Sequence, residues 1–251
     1  MPAGILLGLD FDGTLAPIVT DPELALPAPG VVELLSELSR SLVRLAIISG
    51  RDTDALAARL PVAGLTLVGN HGLEERNGES ALLAVATPFA ASLERAADAV
   101  GRLKEARIPG VRVERKRVGI SVHFRNAPDR SEARASLQPV LQRIAEREQL
   151  RLHPGRMVWE LRPPLEIDKG AVLRRLAAGL QPAAIIYIGD DLTDADAFSA
   201  LKGMRDLKTL AVGVRSDEVP EAAFVDCDLT VDGITGVTDF LGELRDRCRS
   251  A

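Results

Sequence analysis

Short apolar runs, each handing over to a stretch with helical spacing, constrain this chain more than any other feature. Ile5–Leu9 is the first run, and residues 29–40 follow with Val32, Leu35 and Leu38 spaced for one helix face. Val43–Ile48 is a second run, rich in β-branched residues, and residues 52–60 form a second helical stretch with Asp52 or Thr53 as N-cap. Residues 65–68 make a third run. The rhythm resumes late, with 169–178 and 194–201 helical, 184–188 and 209–214 extended, and a last helix over 236–247. A chain that alternates strand and helix in this way builds a parallel sheet covered by helices.

The middle of the chain breaks the rhythm. Phe89, Leu93, Ala96, Val100 and Leu103 mark an amphipathic helix, and Pro109-Gly110 turns the chain. Residues 111–116 and 119–125 then alternate as two strands. Ala133, Leu137, Leu141 and Ile144 mark a second helix, which Pro139 is expected to kink or split. A second strand pair, 150–154 and 157–161, turns at Pro154-Gly155. The order α-β-β-α-β-β describes an α+β unit over residues 85–163, inserted into an α/β domain made of 1–84 and 164–251.

Bulk properties narrow the function classes. The 251 residues are 46% hydrophobic and 27% charged, which suits a globular chain with a core. A net charge of −5 argues against a nucleic-acid surface, and 3% aromatics leave little for stacking platforms. Cys227 and Cys248 lack metal-type or disulfide-framework spacing. The first residues carry no basic segment and reach an acid early, and no apolar run approaches the length of about 18 residues that spans a membrane. A cytoplasmic monomer with no membrane or nucleic-acid partner is expected.

Chemistry concentrates at strand ends. In Leu9-Asp10-Phe11-Asp12-Gly13-Thr14 two carboxylates leave a strand on one side, Gly13 allows a sharp turn, and Thr14 offers a hydroxyl. One acid can attack an electrophile while the other moves a proton. Asp190, Asp191 and Asp194 crowd the end of a later strand, where they repel one another unless a cation neutralises them. Either that cluster and Asp10 and Asp12 hold a hard divalent ion, or Asp191 or Thr193 simply caps a helix. Ser49, followed by Gly50-Arg51, ends the second strand and either donates to a phosphate oxygen or closes an N-cap turn. Lys169 opens a helix, where the dipole disfavours a cation, and therefore asks for an anionic partner.

Taken in order, Asp10-x-Asp12, Ser49, Lys169 and Gly189-Asp190-Asp191 resemble the four motifs of the haloacid dehalogenase-like phosphohydrolases. That resemblance implies a Rossmann-like parallel-sheet core with an inserted α+β cap domain, a bound Mg²⁺, and a covalent aspartyl-phosphate. It implies Asp10 as nucleophile, Asp12 as acid and base, Ser49 and Lys169 as phosphate-binding catalytic groups, and Asp10, Asp12 (through its carbonyl) and Asp190 on the metal; Asp194 is counted with them as a metal residue.

The inserted unit carries a second resemblance. Glu114 and Lys116 share one strand face, Ser121, His123 and Arg125 another, and Arg156 and Glu160 a third. Such a face either binds sugar hydroxyls or is an ordinary solvated sheet face. Glu114-x-Lys116, His123-Phe124-Arg125, and Gly155-Arg156-x-x-x-Glu160-x-Arg162-Pro163 resemble signatures of the trehalose-6-phosphate phosphatases, as do Asn70-His71-Gly72 and Gly189-Asp190-Asp191-x-Thr193-Asp194. Two positions depart from the pattern: Ala195 stands where a further acid is usual, and Phe124 replaces the commoner Tyr. The resemblance implies Glu114, Lys116, Arg125, Arg156 and Glu160 on the distal sugar, Asn70 and His71 as further contacts, and Arg51 orienting the phosphosugar. Other phosphosugars, such as sucrose 6-phosphate or mannosyl-3-phosphoglycerate, and a silent sugar-phosphate sensor are the alternatives.

Overall fold

The apolar run Ile5–Leu9 forms strand β1, buried on both faces, at the centre of an eight-stranded sheet. Helix α1 (Val31–Leu38), β2 (Val43–Ile48), α2 (Thr53–Arg59) and β3 (Thr66–Gly69) follow. Asp52 caps α2 by accepting from Ala55 N at 2.7 Å. A short hairpin, β4 (Glu74–Asn77) and β5 (Glu79–Leu82), ends this part of the sheet, with β4 antiparallel to β3. The computed structural model describes residues 4–41, 43–77, 79–82, 85–165, 167–216 and 219–250. The chain divides into two units, Met1–Ala81 with Ile167–Ala251, and Leu82–Glu166.

The second unit holds α3 (Ala90–Gly101), β6 (Arg112–Lys116), β7 (Gly119–His123), α4 (Arg130–Arg147), β8 (Arg151–Gly155) and β9 (Val158–Arg162). Its antiparallel sheet has the order β6-β7-β9-β8. Leu93, Ala96 and Val100 of α3 and Leu137, Leu141 and Ile144 of α4 are buried, as the spacing predicts. Two expectations fail here. Pro139 does not split α4, which runs unbroken through it: Pro139 and Ala135 both face solvent, so the carbonyl that loses its partner stays hydrated. The turn between β8 and β9 is at Arg156-Met157 rather than Pro154-Gly155, with Met157 at φ 59°.

Back in the first unit come α5 (Lys169–Leu180), β10 (Ala184–Gly189), α6 (Ala195–Gly203), β11 (Lys208–Arg215), β12 (Leu229–Asp232) and α7 (Gly233–Arg249). The sheet order is β12-β11-β10-β1-β2-β3-β4-β5. One face packs Leu7 and Leu9 against Leu35 of α1 and Leu241 of α7, and the other packs Leu6 and Ile48 against Leu173 of α5 and Phe198 of α6. Two helical layers thus exclude water from a near-continuous apolar centre. Among the described residues no helix is long and apolar enough to cross a membrane.

The order places β1 between β2 and β10, parallel to both, with Leu9 level with Ile47 on one side and Ile188 on the other. The connection from β1 therefore runs to β2 on one side and the connection from β10 runs to β11 on the other, and such a switch point at the carboxyl ends of the strands is where ligands of open α/β sheets bind.

Candidate active site

Because the three strands end level, Asp10, Ser49 and Asp190 emerge at one edge of the sheet. Asp10 is tied to the neighbouring strand by its N–H, which donates to Ile188 O at 2.9 Å. The backbone turns at once: Leu15 and Ala16 both donate to Phe11 O, and Gly13 takes φ 86°. Gly13 also makes room for its neighbour, since a Cβ there would lie 2.0 Å from Asp190 Oδ2.

Lys169 is the first residue of α5, whose cap is Asp168 accepting from Ala171 N at 2.6 Å. Gly170 lets α5 approach α6 closely, because a Cβ there would meet Asp196 O at 2.4 Å. Lys169 is thereby carried inward, 5% exposed, and its ammonium lies 3.0 Å from Asp10 Oδ1 and 2.6 Å from Asp194 Oδ1. The anionic partners that a lysine at this end of a helix demands are these two carboxylates.

Asp194 is fully buried and folds back over the chain that precedes it. Its Oδ2 accepts from Asp190 N and Asp191 N, both at 3.0 Å, and its Oδ1 accepts from Lys169 and from the Tyr187 hydroxyl at 2.5 Å. Asp191 does not cap α6 with its side chain; it accepts instead from Thr193 N and Oγ1, each at 2.7 Å.

Crowding of buried charge sets the electrostatics. Burial, together with Asp194 and Asp190, raises the Asp10 carboxyl well above the usual range against the pull of Lys169. Asp190 is pushed up to about 7 by burial, and by Asp194 and Asp191. Burial opposes the charge on Lys169, yet Asp10 and Asp194 raise its pKa above the ordinary lysine value.

Oxygens of Asp10, Asp190 and Asp194, one from each, lie within 4.8 Å of one another. Asp190 Oδ1 is buried without a hydrogen-bond partner. An all-oxygen donor set, a surplus of negative charge and an orphaned carboxylate oxygen fit a hard divalent cation such as Mg²⁺.

The other predicted residues of this unit fall around the same edge. Ser49 is buried; its N–H donates to Val68 O, and its hydroxyl oxygen accepts from Arg51 N at 3.2 Å, leaving its own proton to donate. The Arg51 guanidinium lies over the Phe11 ring and grips Asp12 through two bonds of 2.7 Å. Arg51 was expected on the phosphosugar, and here its planar fork holds the carboxylate of the expected acid and base. Asn70 is buried and donates to Glu74 Oε2 at 2.8 Å, while Thr53 N donates to the same oxygen at 3.1 Å. Asn70 thus builds the loop with Glu74, a residue whose loop-like polar surroundings gave no signal. The His71 N–H donates to Ser49 O at 3.1 Å, and its ring lies on Gly50, where a Cβ would come within 2.5 Å of Cε1.

In the second unit the register draws Glu114, Ser121, Glu160 and His153 into one row across four strands. Lys116 Nζ donates to Glu160 Oε1 at 3.3 Å, Ser121 Oγ donates to the same oxygen at 2.9 Å, and Arg162 bonds the other oxygen. Glu114 meets His123 Nε2 at 2.8 Å; burial opposes its charge, but that bond and Lys116 bring it down to about 2. Arg162 and Ser121 were not among the predicted contacts, although both share the parity of Glu160 or Glu114 across the ladder. Arg156 is in the β8–β9 turn and not on a strand face, and Arg125 lies past the end of β7. The Phe124 N–H donates to Met157 O at 3.0 Å, which brings Arg125 and Arg156 to one end of the sheet, and there burial, then Arg156, lower the Arg125 pKa.

The chain is similar to known proteins. The chain is 39% identical over 203 residues to the trehalose-phosphate phosphatase of Mycobacterium marinum, covering 76% of this chain and 50% of that protein. It is 38% identical over 213 residues to that of Mycolicibacterium paratuberculosis, again covering 77% and 50%. The chain thus spans about half the length of these curated relatives. The C-terminal domain of the Candida albicans trehalose-6-phosphate phosphatase superposes with a TM-score of 0.79 at 25% identity, over 98% of this chain and 93% of that one. A family profile described as trehalose-phosphatase matches residues 8–226, a stretch that runs from the strand before Asp10 past the Asp190 cluster and includes the whole inserted unit. The chain belongs to the trehalose-phosphatase family.

Proposed function

We propose that the chain hydrolyses trehalose 6-phosphate to trehalose and phosphate, in a Mg²⁺-dependent reaction through a phosphorylated Asp10. One observation carries the reading: the Lys169 ammonium bridges Asp10 and Asp194 beside the orphaned Asp190 oxygen, at the carboxyl edge of a parallel sheet. Mg²⁺, when bound, would neutralise charge on the phosphate and on Asp10, and Asp10, Asp190 and the Asp12 carbonyl are the groups to hold it.

The chain's own residues divide the remaining work. Lys169 partly neutralises Asp10, so an anionic phosphate can approach. The Asp10 carboxylate attacks phosphorus, the bond from phosphorus to the sugar oxygen breaks, and Asp12 gives that oxygen a proton. Asp12 then takes a proton from water, the water oxygen attacks phosphorus, and the bond to Asp10 breaks to release phosphate. Ser49 donates its free hydroxyl proton to a phosphoryl oxygen, and Lys169 stabilises the charge that develops there. Sugar selectivity is assigned to the polar sheet face of the second unit, through Glu114, Lys116 and Glu160, with Arg125 and Arg156 at the end of the sheet. His71 is assigned to support Ser49.

Purified protein with Mg²⁺ should release phosphate from trehalose 6-phosphate far faster than from glucose 6-phosphate or sucrose 6-phosphate, and Asp10→Asn should abolish release in a folded protein. Equal rates on the three esters would defeat the substrate assignment, and an active Asp10→Asn would defeat the nucleophile.

A further inference from the structure

Tyr187 is the only tyrosine of the chain, and it sits in the middle of the otherwise apolar strand β10. Its ring is fully buried: it packs so tightly on β1 that a Cβ at Gly8 would lie 2.8 Å from its Cδ2, and it meets the Phe198 ring edge-on at 5.8 Å. Held on two sides, its hydroxyl reaches Asp194 Oδ1 at 2.5 Å. A buried phenol costs more than a phenyl ring unless its hydroxyl is bonded, so a purely apolar role would be served as well by Phe.

An ionised carboxylate offers about four acceptor sites. Asp194 has all four filled, by Lys169, Tyr187 and the N–H groups of Asp190 and Asp191. Its Cγ would lie 2.2 Å from a Cβ at Gly189, so the group is pressed onto its own backbone. Asp190 is the converse case, with one oxygen buried and unbonded. The three acids are close enough to share an ion, but hydrogen bonding has already divided their work.

We infer that Tyr187 is a positioning residue: its hydroxyl completes the coordination of Asp194, which serves as an internal anchor for the Lys169 ammonium and the Asp190 backbone and does not ligate the metal. The inference deepens the proposed phosphatase reading and rests on it for the role of Lys169. With Tyr187 in place, Lys169 is shared between two carboxylates and remains aligned on Asp10. Without that hydroxyl, Asp194 Oδ1 has one donor left, Lys169 shifts toward Asp194, and Asp10 loses its partial neutralisation when phosphate approaches.

The test uses the full chain and three variants. Tyr187→Phe should lower kcat on trehalose 6-phosphate about tenfold, the usual weight of one hydrogen bond to a charged group, with KM within about twofold in a protein that still unfolds cooperatively in urea. Calorimetry with Mg²⁺ alone should give Tyr187→Phe a near-normal Kd. Asp190→Asn should weaken Mg²⁺ binding by about a hundredfold or more, and Asp194→Asn by about tenfold or less. A Tyr187→Phe enzyme with normal kcat, or an Asp194→Asn protein as deficient in Mg²⁺ as Asp190→Asn, would overturn the inference. If the wild type cleaves p-nitrophenyl phosphate but not trehalose 6-phosphate, the substrate assignment fails while the same comparison on p-nitrophenyl phosphate still decides the anchor.

Discussion

Lys169→Met removes one charge from the centre of the site and keeps most of the side-chain volume. In the native protein the ammonium lies 3.0 Å from Asp10 and 2.6 Å from Asp194. At an effective dielectric of about 20, those separations correspond to attractions of about 5.5 and about 6.4 kcal/mol. Burying the ammonium offsets several kcal/mol of this, and the net cost of breaking such a buried pair from one side is about 3–5 kcal/mol. The variant leaves Asp10, Asp190 and Asp194 crowded without a counter-charge, so the loss depends on pH. Asp190 has a folded pKa of about 7 against an ordinary value of 3.8. The folded state therefore binds more protons than the unfolded chain between those values, and the contribution of Asp190 to stability falls as pH rises through the window. Removing Lys169 widens that window, so metal-free Lys169→Met should lose about 3–5 kcal/mol at about pH 8 and distinctly less at about pH 5. Urea unfolding in chelator at both pH values reads this directly, and millimolar Mg²⁺ should restore part of the loss at the higher pH. Equal midpoints for variant and wild type at about pH 8, or a gap that widens on acidification, would refute the charge-balance account.

Gly13→Ala places a methyl 2.0 Å from Asp190 Oδ2 at a φ of 86°, and should cost about 1–2 kcal/mol of stability and weaken Mg²⁺ binding about tenfold or more by calorimetry. Arg51→Lys keeps the charge but cannot grip both Asp12 oxygens, so kcat should fall about tenfold at unchanged stability, and a full-rate variant would remove the clamp from the mechanism. Glu114→Gln should raise KM for trehalose 6-phosphate with kcat nearly constant. Because the Glu114 carboxyl is depressed from 4.5 to about 2, its stabilising contribution is present above 4.5 and fades as pH falls through that range. The stability difference between wild type and Glu114→Gln should therefore close on acidification, and a difference that persists at about pH 2 would contradict the pairing.

The core strands and helices were legible because their signals are local. Ile5–Leu9, Val43–Ile48 and the α2 cap at Asp52 were read within a residue of where they stand, since apolar runs and capping chemistry act over a few neighbours. The β4 strand, Glu-Glu-Arg-Asn, was not, because its place is set by antiparallel pairing with β3 and it has no apolar alternation of its own. β12 was missed as well: its four residues are too short an alternation to mark a strand, and their place is set by pairing with β11. On the site, spacing singled out Asp10, Ser49, Lys169 and Asp190 but not their partners. Nothing local marks Glu74 as the buried acceptor for Asn70, or Arg51 as the clamp on Asp12.

Sequence alone determined which chemical groups stand at the ends of which strands, because strand and helix periods act over neighbouring residues. It also placed the chain in its family, through motifs that keep their order. Only the tertiary structure decided which of those groups meet. Strand order put β1 between β2 and β10, and that order brought Lys169 onto Asp10 and filled every acceptor of Asp194 while leaving Asp190 with one free. Hydrogen bonds and charge pairs depend on distance through space, and residues far apart along the chain come within that distance only when the sheet is assembled.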